Sequence, residues 1–218
     1  MIYIEPKILE RINSWLTPTF DSKTQQLIKE SIANNPEDIQ ESFYKDLEFG
    51  TGGMRGVMGV GTNRINKYTL GKSTQGLSDY LHECFSNEKP KFAIAYDFRH
   101  KSKSLAKIVA DVFSANNIEV YLFEDLRATP ELSFAVRHLN CHCGIVLTAS
   151  HNPPEYNGYK VYWQDGGQLV PPHDNAVINR INELDYADIK FEANDSLIHY
   201  IGKEVDNVFI DASVKNGC

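Results

Sequence analysis

Three short apolar segments, separated by two segments of helical length, constrain the fold of this chain most strongly. The apolar segments 92–96, 118–123 and 144–147 are rich in Ile, Val, Leu, Ala and aromatic residues, which is typical of buried strands. The intervening segments 104–115 and 130–139 have the apolar spacing of helices. Strands that alternate with helices in this way indicate an α/β fold. We predict a three-layer domain with a mixed, largely parallel sheet between helices.

Helical and turn patterns flank this alternating region. A helical leader is predicted over residues 1–46. The helices predicted outside the alternating region are 6–16, 22–34, 36–44, 66–85 and 171–184. Glycines are concentrated in residues 50–61, which favours irregular backbone close to a ligand. Residues 165–167 predict a hairpin-like return, and residues 189–193 have the composition of one more strand.

Composition and charge exclude several classes of function. The net charge of −7 argues against a general nucleic-acid-binding protein, which normally has a basic surface. No apolar run approaches the roughly 20 residues that a bilayer crossing needs. The first residues lack the charged-then-apolar layout of a signal peptide. We therefore expect a cytoplasmic protein with neither nucleic acid nor a membrane as partner.

The four cysteines do not form a disulfide framework in a chain of 218 residues. The sequence Cys141-His142-Cys143 contains three residue types that can ligate zinc. However, zinc sites usually need a second ligand pair, and adjacent residues on a strand point to opposite faces. We interpret this sequence as the start of a buried strand.

The segment 148–154 follows the third predicted strand directly. Its Asn-Pro-Pro sequence disfavours a helix, so Ser150 is predicted to lie in a loop at the carboxyl end of a strand. Ligands bind at this edge of open α/β sheets. Ser150 has His151 beside it and Lys160 ten residues on. Ser150 is therefore a candidate nucleophile for covalent chemistry.

Three motifs stand in a specific order along the chain. They are Phe-Gly-Thr-Gly-Gly-Met-Arg-Gly at 49–56, Thr-Ala-Ser-His-Asn-Pro at 148–153 and Asn-Gly-Tyr-Lys at 157–160. Together they resemble the α-D-phosphohexomutases, the phosphoglucomutase/phosphomannomutase superfamily. The resemblance covers residues 47–184. The helical leader and residues 160–168 are more similar to the phosphoglucomutase/phosphopentomutase branch.

The resemblance implies the catalytic-serine domain of an enzyme that moves a phosphoryl group between the 1- and 6-positions of a hexose phosphate. Ser150 would carry the phosphoryl group, and a sugar bisphosphate would form as the intermediate. The family's enzymes have four domains. The expected division here is a leader at 1–46, the first domain at 47–204, and the truncated start of a linker or second domain at 205–218. The remaining domains would be partners, and this chain alone would be inactive.

Phosphoryl transfer requires positioned cations, backbone N–H groups and a nucleophile. The resemblance assigns catalytic roles to Ser150, to Lys160 as general base, to His151 and to Arg55, whose planar guanidinium can hold two phosphate oxygens. The residues expected to bind phosphate or substrate are Thr51, Gly52, Gly53, Arg55, Asn152, Asp97 and Arg99. The family has a similar Asp-x-Arg at the place of Asp97 and Arg99, consistent with support of the phosphoserine loop, and a purely structural Asp–Arg pair is the alternative.

The resemblance also implies Mg²⁺ as cofactor. In the family the metal is bound by the phosphoserine and by an Asp-Gly-Asp-x-Asp-Arg loop of the second domain, and this sequence contains no such loop. Ser150 is thus the metal ligand expected in this chain.

Several alternatives remain open at the level of sequence. Within the family they are a phosphomannomutase, a phosphopentomutase or a sugar 1,6-bisphosphate synthase. From another class, a non-catalytic sugar-phosphate-binding domain would keep the same fold. A serine hydrolase is disfavoured because Gly-x-Ser-x-Gly is absent around Ser150. A dinucleotide-binding domain is disfavoured because the glycines precede the predicted strands.

Overall fold

The computed structural model describes residues 4–216 of the chain. Within these residues the helices are α1 (Pro6–Ser14), α2 (Ser22–Asn34), α3 (Pro36–Phe43), α4 (Lys67–Cys84), α5 (Ser102–Ala115), α6 (Thr129–His138), α7 (His173–Glu183) and α8 (Lys203–Asn216). The strands are β1 (Gly53–Val57), β2 (Lys91–Tyr96), β3 (Glu119–Phe123), β4 (Cys143–Leu147), β5 (Tyr156–Trp163) and β6 (Ile198–Ile201).

The strands form one sheet with the order β1-β5-β4-β2-β3-β6. β2 pairs in parallel with β3 and β4, and β3 pairs in parallel with β6. β5 runs antiparallel to both of its neighbours, β1 and β4. The predicted mixed, largely parallel sheet is therefore confirmed. Its parallel centre places the carboxyl ends of β2 and β4 side by side.

Both faces of the central strands are covered by helices. On β2, Phe92 and Ile94 pack into the core that α4 and α5 cover, whereas Ala93 and Ala95 pack against α6. All four side chains are fully buried. Burial on both faces explains why this strand reads as a continuous apolar run instead of an alternating one. The predicted three-layer arrangement is confirmed.

The three leader helices form a small core of their own around Trp15. Its ring stacks on Phe20 with centroids 4.4 Å apart and meets the Tyr68 ring of α4 at 5.6 Å. The Tyr68 hydroxyl donates a hydrogen bond of 2.9 Å to the carboxylate of Asp21, the residue that caps α2. The predicted helices of the leader are confirmed, and aromatic contacts hold them against α4.

Two predictions about strands were wrong. The segment 189–193 forms no strand, and the sixth strand is β6, which pairs with β3. The glycine-rich segment 50–61 is not irregular throughout, because it contains β1 at the edge of the sheet. The expected return at 165–167 is present as a turn, and its pairing is limited to one bridge between Tyr162 and Gln168.

Beyond residue 202 the chain forms α8. Val205 is buried against α6, and the Arg127 guanidinium donates two hydrogen bonds, of 2.6 and 2.8 Å, to the Asp206 carboxylate. Farther along the helix Val208, Ile210 and Val214 are exposed. The predicted division of the chain at residue 205 stays a prediction, and residues 217 and 218 lie outside the described range.

Cys141 and Cys143 flank the start of β4 and are both buried. Burial raises the pKa of Cys141 to about 12 and raises that of Cys143 as well. The Nδ1 atom of His142 accepts a hydrogen bond of 3.0 Å from the backbone N–H of Lys91. The interpretation of this sequence as the start of a buried strand is confirmed.

Among the described helices, none combines the length and the hydropathy that a membrane crossing requires.

Candidate active site

Ser150 lies in the loop between β4 and β5, three residues beyond the carboxyl end of β4. It is exposed, and its backbone adopts a left-handed conformation with φ of 56°. For a residue other than glycine this conformation costs about 1–2 kcal/mol, so surrounding contacts must maintain it. One such contact is the hydrogen bond of 2.9 Å from the Ser150 N–H to Thr148 Oγ1. The predicted location of Ser150 is confirmed.

Arg99 holds the serine loop through backbone carbonyls. Its two terminal nitrogens donate to the carbonyl oxygens of Ser150 (2.6 Å), Asn152 (2.6 Å), Pro153 (2.9 Å) and Tyr156 (3.1 Å). Only 7% of the Arg99 side chain is exposed. Because the loop carbonyls occupy these donors, the contacts favour the loop-supporting role of Arg99 over direct contact with phosphate.

Asp97 orients Arg99 from the end of β2. One carboxylate oxygen accepts hydrogen bonds of 3.0 Å from both the Arg99 N–H and the Ser102 hydroxyl. The other oxygen lies 3.4 Å from Arg99 Nε and forms an ion pair with it. The Asp97 N–H also donates to the carbonyl of Leu147, the last residue of β4. Asp97 therefore ties the ends of two neighbouring strands to the serine loop.

Arg55 reaches the same loop from the edge of the sheet. It lies on β1, where Arg55 is registered opposite Gly158 of β5. Its guanidinium donates a hydrogen bond of 2.9 Å to the side-chain oxygen of Asn152. It forms no ion pair with a carboxylate of residues 4–216. The structure thus brings Arg55 to the serine loop, although its contact is with Asn152 and not with Ser150.

The glycines before Arg55 serve the packing of β1. Gly53 has φ of 129°, and a Cβ atom added there would lie 1.8 Å from the carbonyl oxygen of Tyr159. Gly52 also has a positive φ, of 77°, and faces the side chain of Gln168. Thr51 donates a hydrogen bond of 3.2 Å to the Asp174 carboxylate on α7 and does not contact the serine loop. Close strand approach accounts for Gly53 without a ligand.

Gly53→Ala is expected to destabilise the protein by about 3 kcal/mol, because it adds backbone strain and a collision with β5. Gly59→Ala in the same glycine-rich segment is the matched control. Its added Cβ would meet Arg64 at an ordinary distance of 3.6 Å. Urea unfolding of both variants measures the difference. Equal unfolding midpoints would show that β1 does not need glycine at this position.

The candidate catalytic residue His151 and the candidate base Lys160 are placed differently. His151 is exposed, and its Nδ1 lies 3.5 Å from Ser150 Oγ, at the limit of a hydrogen bond. Lys160 lies on β5, opposite Val146 and Gly53, on the face of the strand away from Tyr159 and Val161. The structure therefore places His151 beside Ser150 and Lys160 farther back along the neighbouring strand.

The described residues do not form a Mg²⁺ site on their own. They contain no group of three or more His, Cys, Asp and Glu side chains that could hold a metal ion. Asp97 is bound to the loop through Arg99, and its carboxylate oxygens already face Arg99 and Ser102. Mg²⁺ requires close to six oxygen ligands. Ser150, which is exposed, is the residue that the resemblance assigns to the metal as a ligand.

The sequence motifs assigned no role to Ser102 and placed Asn157 only within the motif at 157–160. Asn157 lies on β5, and its side-chain nitrogen donates a hydrogen bond of 3.0 Å to the Ser102 hydroxyl. Both residues are fully buried within the described structure. Serine is common at the start of helices, where it caps the helix. The sequence therefore contains no signal that separates Ser102 from an ordinary capping residue.

The sequence of this chain matches the model of a known protein family. Residues 46–188 match the sequence model described as phosphoglucomutase/phosphomannomutase, alpha/beta/alpha domain I. The chain belongs to this family. The matched region of this phosphoglucomutase/phosphomannomutase domain includes Arg55, Arg99, the serine loop and Lys160.

Similar relatives of this family member carry several enzyme names. The chain is 41% identical over 177 residues to phosphopentomutase from Homo sapiens, covering 78% of this chain and 29% of the relative. It is 38% identical over 199 residues to phosphoglucomutase from Staphylococcus epidermidis, covering 88% and 35%. The chain therefore spans about a third of the length of the curated relatives it matches.

A solved structure supports the fold of this phosphoglucomutase/phosphomannomutase domain. A protein from Thermus thermophilus, described as a phosphomannomutase, aligns with a TM-score of 0.65 and 26% sequence identity. The alignment covers 79% of this chain and 36% of that protein.

Proposed function

We propose that this chain is the catalytic-serine domain of a phospho-sugar mutase that transfers a phosphoryl group between the 1- and 6-positions of a hexose phosphate. The observation that carries the proposal is the exposed Ser150 hydroxyl at the carboxyl end of β4, on a left-handed backbone that Arg99 holds. Family membership supports the same assignment.

In the proposed reaction, Ser150 Oγ carries the phosphoryl group in the resting enzyme. A hydroxyl of the bound hexose phosphate attacks phosphorus, so a sugar O–P bond forms while the Ser150 Oγ–P bond breaks. The proton of the attacking hydroxyl passes to Lys160, and the product is a sugar bisphosphate. Return of the other phosphoryl group to Ser150 releases the isomeric monophosphate and returns the proton.

Two further side chains have proposed roles at the phosphoryl group. Arg55 neutralises charge on the phosphate oxygens, because its exposed guanidinium lies next to Asn152 and forms no ion pair with a carboxylate of residues 4–216. His151 hydrogen-bonds to Ser150 Oγ as the phosphoryl group departs, and its Nδ1 is already 3.5 Å from that oxygen. Asn152 holds Arg55 in place through its side-chain oxygen.

Mg²⁺ is the proposed cofactor of the complete enzyme, where it would neutralise phosphate charge. Residues 4–216 contain no group of three or more His, Cys, Asp and Glu side chains that could hold a metal ion, and Ser150 would supply one ligand. The other ligands would come from further domains of the same polypeptide.

A pentose phosphate is the second candidate substrate. The observation that favours it is the 41% identity with human phosphopentomutase. The two candidates share the phosphoserine chemistry and differ in the sugar, so a comparison of the two substrates on one preparation separates them.

The test uses a polypeptide of the relatives' length that contains this chain. It is incubated with glucose 1,6-bisphosphate and Mg²⁺, and peptide mass spectrometry locates the phosphoryl group. Turnover of glucose 1-phosphate and of ribose 1-phosphate is then measured. We expect phosphate on Ser150 and turnover of at least one substrate. Labelling elsewhere would assign the phosphoryl group to another residue, whereas binding without phosphoryl transfer would favour a non-catalytic sugar-phosphate-binding domain.

The 218-residue chain by itself is expected to give no measurable turnover in the same assay. Groups that hold the sugar in position can contribute about 7–11 kcal/mol to catalysis. In the proposed enzyme those groups belong to the further domains. Robust turnover by the isolated chain would show that this division of the catalytic groups is wrong.

A further inference from the structure

We infer that Asn157 and Ser102 are positioning residues for Ser150, and that they act through Asp97 and Arg99. The inference rests on the proposed role of Ser150 as phosphoryl carrier. Neither Asn157 nor Ser102 contacts the serine. They form the buried end of a chain of three hydrogen bonds and one ion pair that ends at the serine loop.

The chain of contacts is continuous. Asn157 Nδ2 donates to Ser102 Oγ at 3.0 Å, and Ser102 Oγ donates to Asp97 Oδ1 at 3.0 Å. Asp97 Oδ2 then lies 3.4 Å from Arg99 Nε. Arg99 donates to the carbonyl oxygen of Ser150 at 2.6 Å. Each step links a different part of the fold: β5, the start of α5, the end of β2 and the serine loop.

The direction of each hydrogen bond follows from its neighbours. Asn157 Oδ1 accepts a hydrogen bond of 2.8 Å from the N–H of Gly158, which leaves the side-chain nitrogen to face Ser102. Because Ser102 Oγ accepts from that nitrogen, its single proton is available for Asp97. Asp97 Oδ1 thereby receives two donors, from Ser102 and from the Arg99 N–H.

Burial restricts the geometry of these contacts. Asn157 and Ser102 are both 0% exposed, so neither side chain contacts bulk water. Buried polar groups that are fully hydrogen-bonded favour one geometry, whereas removal of one partner leaves the next group unsatisfied. Loss of the Asn157 amide is therefore transmitted to the Asp97 carboxylate, and from there to the guanidinium that fixes the loop.

The variant Asn157→Ala tests this in the polypeptide of the relatives' length. We expect kcat to fall by about 10- to 100-fold, because a displacement of about 1 Å at the reacting group has an effect of this size. KM should change by less than about twofold, since the inference places no atom of the chain of contacts against the sugar. Unchanged kcat in the folded variant would overturn the inference.

Asn116→Ala is the matched control. Asn116 is also buried, with 6% exposure, and its side-chain nitrogen donates to Gln75 and to the carbonyl of Val112, away from the serine loop. It should lower the thermal midpoint while kcat stays within about twofold. If both variants lower kcat equally, Asn157 affects stability alone. If Asn157→Ala does not fold, Ser102→Ala removes the next group in the chain and carries the same expectation.

A double-mutant cycle separates positioning from a general structural effect. If Asn157 acts through Arg99, the combined variant Asn157→Ala/Arg99→Lys should be no more than about threefold slower than Arg99→Lys alone. Independent effects would multiply, and that result would overturn the inference.

Amide hydrogen exchange of residues 148–152 gives a readout that does not depend on mutase activity. Exchange in this loop should be faster in Asn157→Ala than in the wild-type protein, and unchanged in Asn116→Ala. If the wild-type protein fails to accept a phosphoryl group, the proposed function is wrong. Amide exchange still tests the chain of contacts from Asn157 to Ser150 in that case. Equal exchange in all three proteins would overturn the inference itself.

Discussion

Ser150→Ala is expected to reduce turnover by at least about 10³-fold in the polypeptide of the relatives' length, because the phosphoryl group then has no attachment point. The proposed reaction needs the Ser150 hydroxyl twice, first as the donor of a phosphoryl group and then as its acceptor. A loss of this size exceeds any effect expected from the loop backbone. The measurement is coupled turnover of glucose 1-phosphate, together with labelling from glucose 1,6-bisphosphate.

Two further variants identify the cause of the loss. Ser150→Gly also lacks the hydroxyl but accepts the φ of 56° without strain, so it should be as inactive as Ser150→Ala. Ser104→Ala removes an exposed hydroxyl on α5 and should keep turnover within about twofold. Full activity in Ser150→Ala would exclude a phosphoserine mechanism.

The central part of the fold could be predicted from the sequence because its strands are buried on both faces. The segment 92–96 is apolar at nearly every position, and a run of this kind between helical patterns has few alternatives. The two edge strands have no such signal. β1 contains two glycines, and β6 has four residues of which His199 and Tyr200 are exposed. Their positions depend on pairing with β5 and β3, which local composition does not encode.

In the candidate site, too, the sequence predicts some residues and not others. Ser150 could be located because it directly follows a predicted strand, and Arg55 because it belongs to a motif. The partners of Arg99 could not be predicted, since they are backbone carbonyls that converge only when the loop folds. Ser102 and Asn157 could not be predicted because they meet through tertiary structure, 55 residues apart in sequence.

Arg99→Lys is expected to lower kcat by about 10²-fold although it retains the positive charge. Lysine has a single nitrogen with three donors, which cannot replace the planar guanidinium that reaches four carbonyls and the Asp97 carboxylate. The carbonyls of Ser150 and Asn152 would lose their charged partner, and the strained backbone of Ser150 would relax. The phosphoryl group would then be held away from its reacting position.

The separate effects of Arg99→Lys on kcat and on KM distinguish between loop support and substrate binding by Arg99. If Arg99 supports the loop, Arg99→Lys lowers kcat and leaves KM within about twofold; if it binds the phosphate of the substrate, KM rises strongly. Arg180→Lys on α7 is the matched control, since Arg180 is an arginine paired with Glu83 and Glu183 outside the serine loop. It should change neither constant by more than about twofold. Steady-state kinetics with glucose 1-phosphate on both variants, at saturating sugar bisphosphate, separates these outcomes. A rise in KM with unchanged kcat would assign Arg99 to substrate binding, and the four carbonyl contacts would then be a secondary feature of the loop.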